Sequence, residues 1–383
     1  MVNRSLKDQH LKGKAVLVRV DYNVPLKEGE ISDDTRIRAS LPTLQWLIGQ
    51  GARVIVMSHL GRPKGEEPSL SLAPVAKRLG ELLGQKVYFG KDPVDMKEGE
   101  VQLLENLRFD PGEKGKDPAF VKALAERGDV YVNDAFGTCH RQESSVYGLA
   151  QAFAKTGNAF PGLLLQKEIE AFDKLLNHPD RPFAAVIGGA KISTKLGVLD
   201  QLMKKVDLLL IGGAMANTLL LAQGFEVGAS LVEEECLEPS QELLQKAEER
   251  GVELLLPVDL VVTRDQKESR ISSLNEVARE ESIVDIGPKT VELFAGALEK
   301  AKTVLWNGPL GLFEIPPFNL GSLEVGRTIA NLPAYVVVGG GDTIACVKQL
   351  GLEEAFSHLS TGGGAALELV EKGTLPGLDV LYI

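Results

Sequence analysis

Short apolar runs rich in β-branched residues alternate along this chain with longer segments whose apolar residues recur at helical spacing. That pattern predicts βαβ units built around parallel sheets, and so an α/β fold. In the first half the predicted strands are Ala15–Val20, Arg53–Met57, Val101–Leu104 and Val130–Val132, separated by helical stretches that include Arg36–Gly49 and Leu72–Leu83. In the second half they are Phe183–Ile187, Val206–Ile211, Val252–Leu256, Thr303–Trp306 and Ala334–Val338. Between the halves lies Leu163–Leu176, a segment of helical period bounded by Phe160-Pro161-Gly162 and by Pro179 and Pro182. Such a helix either joins two domains and transmits a hinge motion or belongs to the core of one of them; the pattern suits both. Phe225–Pro257 contributes helices and a strand without evident chemistry, and Gln266–Ile286 reads as a polar excursion.

The predicted strands share one kind of ending. In the first half Asp21-Tyr22-Asn23, Ser58-His59, Glu105-Asn106-Leu107-Arg108 and Asn133-Asp134 follow them; in the second half the endings are Gly188-Gly189, Gly212-Gly213, Asn307-Gly308 and Gly339-Gly340-Gly341. Parallel sheets bind ligands at the carboxyl ends of their strands, so the chain is expected to carry two binding faces, one polar and one rich in glycine. Polar loops alone would account for some polar strand ends, but not for recurring double glycines. The most constrained stretch is the last. There Tyr335–Val338 enters three glycines, then Asp342 and Thr343, then a helical pattern. A glycine turn at a helix N-terminus presents backbone N–H groups to a phosphate, and a carboxylate beside a phosphate suits Mg²⁺. Asp342 would also serve as an N-cap, and a tight turn capped in that way is the plainer reading of the same residues.

Composition narrows the setting. A chain of 383 residues, 44% hydrophobic and 25% charged, is long enough for two domains. Its net charge of −11 argues against unspecific nucleic-acid or anionic-membrane partners, so a local cluster of cationic residues is informative. Cys139, Cys236 and Cys346 are widely spaced without a CxxC pair, which fits a reducing compartment. Neither a signal-peptide pattern nor an apolar run of about 20 residues is present, and a cytoplasmic location is expected.

The cationic residues that stand in the polar motifs of the first half are Arg19, Arg36, Arg38, Arg62, Arg108 and Arg141, with His59 and His140 each near an arginine. Guanidinium forks match phosphate and carboxylate, so this set suggests a small, multiply anionic ligand, although any single arginine could be a solvated surface residue. In the second half Lys191 and Lys195 stand four apart at an expected helix start, where both could reach one polyphosphate from a single face. No Walker A loop and no GxGxxG loop is present. No nucleophile triad or kinase-type catalytic aspartate stands out either. Phosphoryl transfer to a carboxylate needs no base, because the acceptor is already ionised at neutral pH.

The motifs RVDYNVP (Arg19–Pro25), SHLGRP (Ser58–Pro63), ENLRF, DAFGTCHR, GGAKIS, WNGPLGLFE, VVGGGDT and STGGGAALE together resemble those of 3-phosphoglycerate kinases, and they span Arg19 to Glu368. The resemblance implies two Rossmann-like three-layer α/β/α domains with mainly parallel sheets, joined by a helix and a hinge. Residues 1–165 would bind 3-phosphoglycerate and residues 166–364 MgATP or MgADP, with 365–383 packing back on the first domain. Carried over motif by motif, Asp21, Tyr22, Asn23, Arg36, His59, Leu60, Gly61, Arg62, Arg108, His140 and Arg141 would line the phosphoglycerate site. Arg36 would also touch the phosphoryl group in flight. Lys191, Lys195, Gly212, Gly213, Asn307, Glu314, Gly340, Gly341, Asp342 and Thr343 would bind nucleotide, with Asp342 on Mg²⁺ and Glu314 on the ribose. Gly362 and Gly363 would offer N–H groups to the transferring phosphoryl, and Ser360 and Thr361 would lie at a hinge. The implied partners are small molecules only, and the implied state is a monomer.

Two positions depart from the resemblance. Thr194 stands where many members have an acid, and Gln142-Glu143 follows His140-Arg141 where many have a second histidine. A Rossmann dehydrogenase would need GxGxxG after its first strand, which LVRVDYNVP lacks. A noncatalytic nucleotide-binding module would not need Arg36, Lys191 and Asp342 together.

Overall fold

The computed structural model describes residues 5–381. The chain forms two compact units, one running through Glu170 and resuming at Thr374, the other covering Ala171–Gly373. The first division falls inside the helix Leu163–Asn177. The helix Gly364–Lys372 stays with the second unit, so the return to the first begins at Thr374 and not at residue 365.

In the first unit six parallel strands lie in the order Val87–Gly90, Val101–Leu104, Arg53–Met57, Ala15–Arg19, Val130–Asn133, Ala159–Pro161. Every residue of Ala15–Arg19 is buried, as expected of a central strand covered on both faces, and this is why the run reads as continuously apolar. Val16, Val18, Val54 and Val56 pack with Ile37, Leu44 and Leu47 of the helix Thr35–Gly49 and with Val75 and Leu79 of the helix Ala73–Leu83. The two edge strands, Val87–Gly90 and Ala159–Pro161, are short and lie outside the sequence expectation.

The helix Leu163–Asn177 is held at its start by two residues of the first unit. Thr43 Oγ accepts from Leu163 N at 3.0 Å, and Asp134 Oδ1 accepts from Leu164 N and Leu165 N at 3.0 and 3.1 Å. Asp134 is fully buried and its Oδ2 has no hydrogen-bond partner. Burial outweighs the hydrogen bonds and pushes its carboxyl from 3.8 up to about 7. Residues from Thr374 onward bury Leu375, Leu378, Val380 and Leu381, and Gly377 N donates to Cys139 O at 2.8 Å.

In the second unit the parallel order is Glu253–Leu255, Leu208–Ile211, Phe183–Ile187, Thr303–Asn307, Tyr335–Gly339, His358–Leu359. Its core joins Val186, Leu210, Val304, Trp306 and Val338 to Phe294, Leu298, Val325 and Ile329. The expected polar excursion instead forms β-structure. Ser269–Ser273 and Ser282–Ile286 pair antiparallel on either side of Asp259–Thr263. Ser269–Ser273 is an exposed edge with only Ser272 buried, so it carries none of the apolar alternation by which a strand is recognised.

Candidate active site

Arg19, the last residue of the central strand of the first unit, is fully buried. Its Nε donates to Ser145 Oγ at 2.8 Å, one terminal nitrogen donates to Val20 O, and the other lies 3.1 Å from His59 Nδ1. A guanidinium only donates, so Nδ1 must accept and the ring proton sits on Nε2. Burial, reinforced by Arg19, Arg108, Arg141 and Arg36, holds the His59 pKa well below its usual value. His59 is therefore a neutral imidazole whose remaining donor is Nε2–H.

Around it the strand ends are tied together by short polar bonds. Arg36, in the first turn of Thr35–Gly49, reaches Asp21 Oδ2 at 2.9 Å and Asn23 O at 3.2 Å. Asn23 Oδ1 accepts from Gly61 N at 2.8 Å. Asn106, fully occupied, accepts from Leu60 N and Arg108 N and donates to Leu60 O and Leu70 O. Gly61 has φ +63°, and a Cβ there would sit 2.9 Å from Leu70 Cδ2, so this turn needs glycine. Arg108 donates to Gly61 O at 2.7 Å, and Arg62 next to it is exposed with no ion pair or hydrogen bond among the described residues.

Several expectations change. Tyr22 is fully buried, its hydroxyl 2.7 Å from Ser40 Oγ, and Leu60 packs in the core; neither side chain is available to a ligand. Arg38 pairs with Asp34 on the helix surface, away from the cluster. His140 Nε2 accepts from Arg141 Nε at 3.2 Å. The residue that the sequence reading missed is Glu143, which it counted only as a departure. It is buried and forms ion pairs with Arg108 at 2.6 Å, Arg141 at 3.5 Å and Arg19 at 3.8 Å. Burial opposes its ionisation, but Arg19 and Arg108 prevail and keep its pKa below the usual value.

The second unit has its own site. The helix after Gly188-Gly189 begins at Leu196, so Lys191 lies in the preceding loop and the two lysines do not share a helical face. GGAKISTK has no capping residue ahead of Lys191; the loop is instead held by Glu233, which accepts from Ser193 N and Oγ at 3.0 and 2.6 Å. Thr194, the second departure, donates to Lys191 O. Lys191 is exposed. Lys195 is buried, with Nζ donating to Gly188 O at 2.5 Å and to Asn307 Oδ1 at 2.8 Å. Burial lowers its pKa to about 8, with Asp342 acting the other way.

Four glycine turns meet at this point, those at Gly188, Gly213, Gly308 and Gly340. Gly213 has φ +70°, and a Cβ on Gly188 would lie 2.0 Å from Pro309 O. Asn307 Nδ2 donates to Gly339 O at 2.9 Å, and Thr343 Oγ accepts from Gly308 N at 2.7 Å. Gly340, φ +96°, is the N-cap of the helix Gly341–Leu350, so Asp342 is in the first turn and not the cap. Thr343 and Asn307 are buried braces of the cradle, whereas Gly341 and Asp342 are exposed. Beside them is a cavity of about 160 Å³ walled by Gly213, Pro257, Leu260, Ile283, Leu310 and Phe313, with Glu314 and Asp342 also lining it. Gly212 is not part of that wall; a Cβ there would lie 2.7 Å from Leu310 Cδ2, behind the lining. Further on, Gly363 with φ +51° caps the helix Gly364–Lys372, and Gly362 N donates to Ser360 Oγ.

An apolar slot edged by carboxylates and glycine turns suits a nucleotide, and an arginine cluster suits a small phosphorylated acid. The comparison with known proteins decides between readings. Residues 6–373 match the family model of phosphoglycerate kinase. The chain belongs to the phosphoglycerate kinase family. It is 51% identical to a phosphoglycerate kinase of Dictyoglomus turgidum, over 98% of this chain and 97% of that one. It is 50% identical to one from Thermus thermophilus, over 99% of each. Its fold matches the phosphoglycerate kinase structure from Coxiella burnetii with a TM-score of 0.92 at 40% identity, covering 99% of each chain. The structure from Pyrococcus horikoshii matches with a TM-score of 0.87 at 34% identity, covering 99% of this chain and 98% of that one.

The protein is accordingly a two-domain α/β phosphotransferase that moves a phosphoryl group between 1,3-bisphosphoglycerate and ADP, a step of glycolysis and gluconeogenesis. As in the family, its substrates are small molecules, a phosphorylated acid and a nucleotide. Among the described residues no helix is long and apolar enough to cross a membrane.

Proposed function

We propose that the first unit holds 3-phosphoglycerate on the arginine cluster and the second holds MgADP or MgATP on the glycine turns. The observation that carries this reading is the opposite chemistry of the two strand-end faces. One presents Arg36, Arg108 and Arg141 around a neutral His59, with Arg62 exposed beside Gly61; the other presents backbone, an apolar slot and exposed carboxylates. His59 Nε2–H, Arg62, Arg108 and Arg141 bind the 3-phosphate. Asp21 and Asn23 meet the hydroxyl and carboxylate end, where Arg36 stabilises charge on the phosphoryl in flight.

In the second unit the base enters the apolar slot by Gly213, Glu314 takes the ribose hydroxyls, and Lys191 with the N–H groups of Gly340 and Gly341 receives the phosphates. Lys195 braces the floor from beneath. Asp342 fits Mg²⁺: its carboxylate is exposed, makes no hydrogen bond among the described residues and stands in the first turn beside the phosphate cradle. Mg²⁺ bound mainly through phosphates and water needs one such carboxylate, and it supplies charge neutralisation to the transferring group. Gly362 and Gly363 lead into a helix N-terminus that favours the same charge.

Transfer is a direct in-line displacement. The carboxylate of 3-phosphoglycerate is already ionised and attacks without a base, and exclusion of water protects the acyl phosphate. On this reading the protein is a cytoplasmic monomer; its net charge of −11 disfavours unspecific polyanion partners, so small anions are drawn to the local arginine cluster alone. The test is ADP release from MgATP with and without 3-phosphoglycerate, with hydroxylamine trapping the acyl phosphate. Release that depends on 3-phosphoglycerate with matching hydroxamate is expected; ligand binding without either product would refute the reading.

A further inference from the structure

Glu143 is a carboxylate shared by three arginines of the first unit, Arg19, Arg108 and Arg141, and its bonding is incomplete. Oε1 takes Arg108 at 2.6 Å and Arg141 at 3.5 Å, while Oε2 has only a 3.8 Å ion pair to Arg19 and no hydrogen bond. Arg108 is unfinished as well: its side chain is 2% exposed, and its buried Nε has no partner. A buried ion pair that served only the fold would be expected to satisfy these groups, because each orphan is destabilising. Glu143 instead sits as an internal anion, on donors that an incoming phosphate would need.

The surrounding charges set the balance. Arg19 comes from the central strand, Arg108 from the turn Leu107–Phe109, and Arg141 from the same loop as Glu143. Glu113, from the short helix Pro111–Gly115, is buried nearby with both oxygens on Ser145, at 2.6 and 3.0 Å. His59 adds no charge. Three guanidiniums thus face two carboxylates, and neutralising Glu143 would double the local positive excess.

We infer that Glu143 is a positioning residue that sets an affinity threshold for anions: its carboxylate holds Arg108 and Arg141 in the free protein, and a ligand phosphate must displace it. The inference rests on the reading that these arginines bind the 3-phosphate. Inorganic phosphate brings nothing but the displacing group. Phosphoglycerate adds a carboxylate and a hydroxyl for the Asp21, Asn23 and Arg36 side, and these make up the deficit. The site therefore stays open to the whole substrate in the presence of free phosphate.

The experiment compares the full-length wild type with Glu143→Gln and Glu143→Asp. The readouts are the inhibition constant of inorganic phosphate against 3-phosphoglycerate and, by calorimetry, the Kd of 3-phosphoglycerate. Gln keeps an acceptor for Arg108 and removes the charge. It should lower the phosphate inhibition constant and the 3-phosphoglycerate Kd at least tenfold, and the gain should shrink as salt rises. Asp keeps the charge but draws it back, and should lower both constants severalfold. Constants equal to or above wild type in Glu143→Gln overturn the inference, since a supporting role predicts weaker binding. Trp46 fluorescence reports folding of the first unit, to which Glu143 belongs; if Glu143→Gln fails it, Glu143→Asp decides by the same signs. A wild type that does not bind 3-phosphoglycerate would refute the site assignment itself, whereas binding with unaltered variants would refute only the threshold.

Discussion

Replacing Asp134 by asparagine should change the stability of the first unit in a pH-dependent way, increasingly in its favour as pH rises. Asp134 is fully buried, and its carboxyl is raised from 3.8 to about 7. A carboxyl whose folded pKa is raised favours folding below the unfolded value and loses that contribution as pH climbs to the folded one. The shift of about 3 units corresponds to roughly 4 kcal/mol, fully lost above pH 7. Of this, about 3 kcal/mol accrues between pH 5 and pH 8. Asparagine keeps an acceptor for Leu164 N and Leu165 N but leaves a buried amide donor without a partner, a fixed cost of about 1–3 kcal/mol at either pH. The stability difference between Asp134→Asn and wild type should therefore grow by about 3 kcal/mol from pH 5 to pH 8 in favour of asparagine. The chain has one tryptophan in each unit, Trp46 and Trp306. Urea unfolding followed by Trp46 fluorescence, with both proteins carrying Trp306→Phe, isolates the first unit. A difference of equal size at the two pH values would show that Asp134 is ionised in the folded protein and sink the argument.

Arg36→Ala should lower kcat by about 10²–10³-fold with a smaller change in KM, because its contact strengthens as charge moves; steady-state kinetics showing only a raised KM would remove that role. Arg62→Ala should weaken 3-phosphoglycerate binding by about 10–100-fold, the worth of a charge-assisted bond, measured by calorimetry with MgADP affinity as the internal control. Gly188→Ala would place a Cβ 2.0 Å from Pro309 O, backbone against backbone. It should destabilise the second unit by at least about 1–3 kcal/mol and weaken MgADP binding; an unchanged Tm in calorimetry would contradict the close approach.

The interior strands were legible because burial on both faces writes a continuous apolar run: Arg53–Met57, Val101–Leu104 and Phe183–Ile187 lie where the pattern put them. Val87–Gly90 and Ser269–Ser273 were not, since an edge strand needs no such run. The glycine turns were legible for a related reason. Where backbones approach as closely as Gly188 and Pro309, only one residue type fits, so geometry leaves a mark in composition. Glu143 and Glu113 left none, because their roles come from arginine and serine partners far away in sequence. Lys191 and Lys195 misled for the opposite reason: a spacing of four imitates a helix face even where the helix has not begun.

The segment from Thr374 bears on how this protein is made. It is translated after the whole second unit, yet its Gly377 hydrogen-bonds the backbone of Cys139, beside His140 and Arg141. A Cβ on Gly377 would come within 2.9 Å of Cys139 Cα, so the strap lies flush against the loop it supports. During synthesis the strands of the first unit are all made early, but the loop carrying Arg141 lacks its backing until the segment from Thr374 has followed the second unit. On the proposed assignment of the two sites, the capacity to bind phosphoglycerate arrives after the nucleotide-binding unit has been made. A nascent chain would be spared from capturing substrate before it could turn it over.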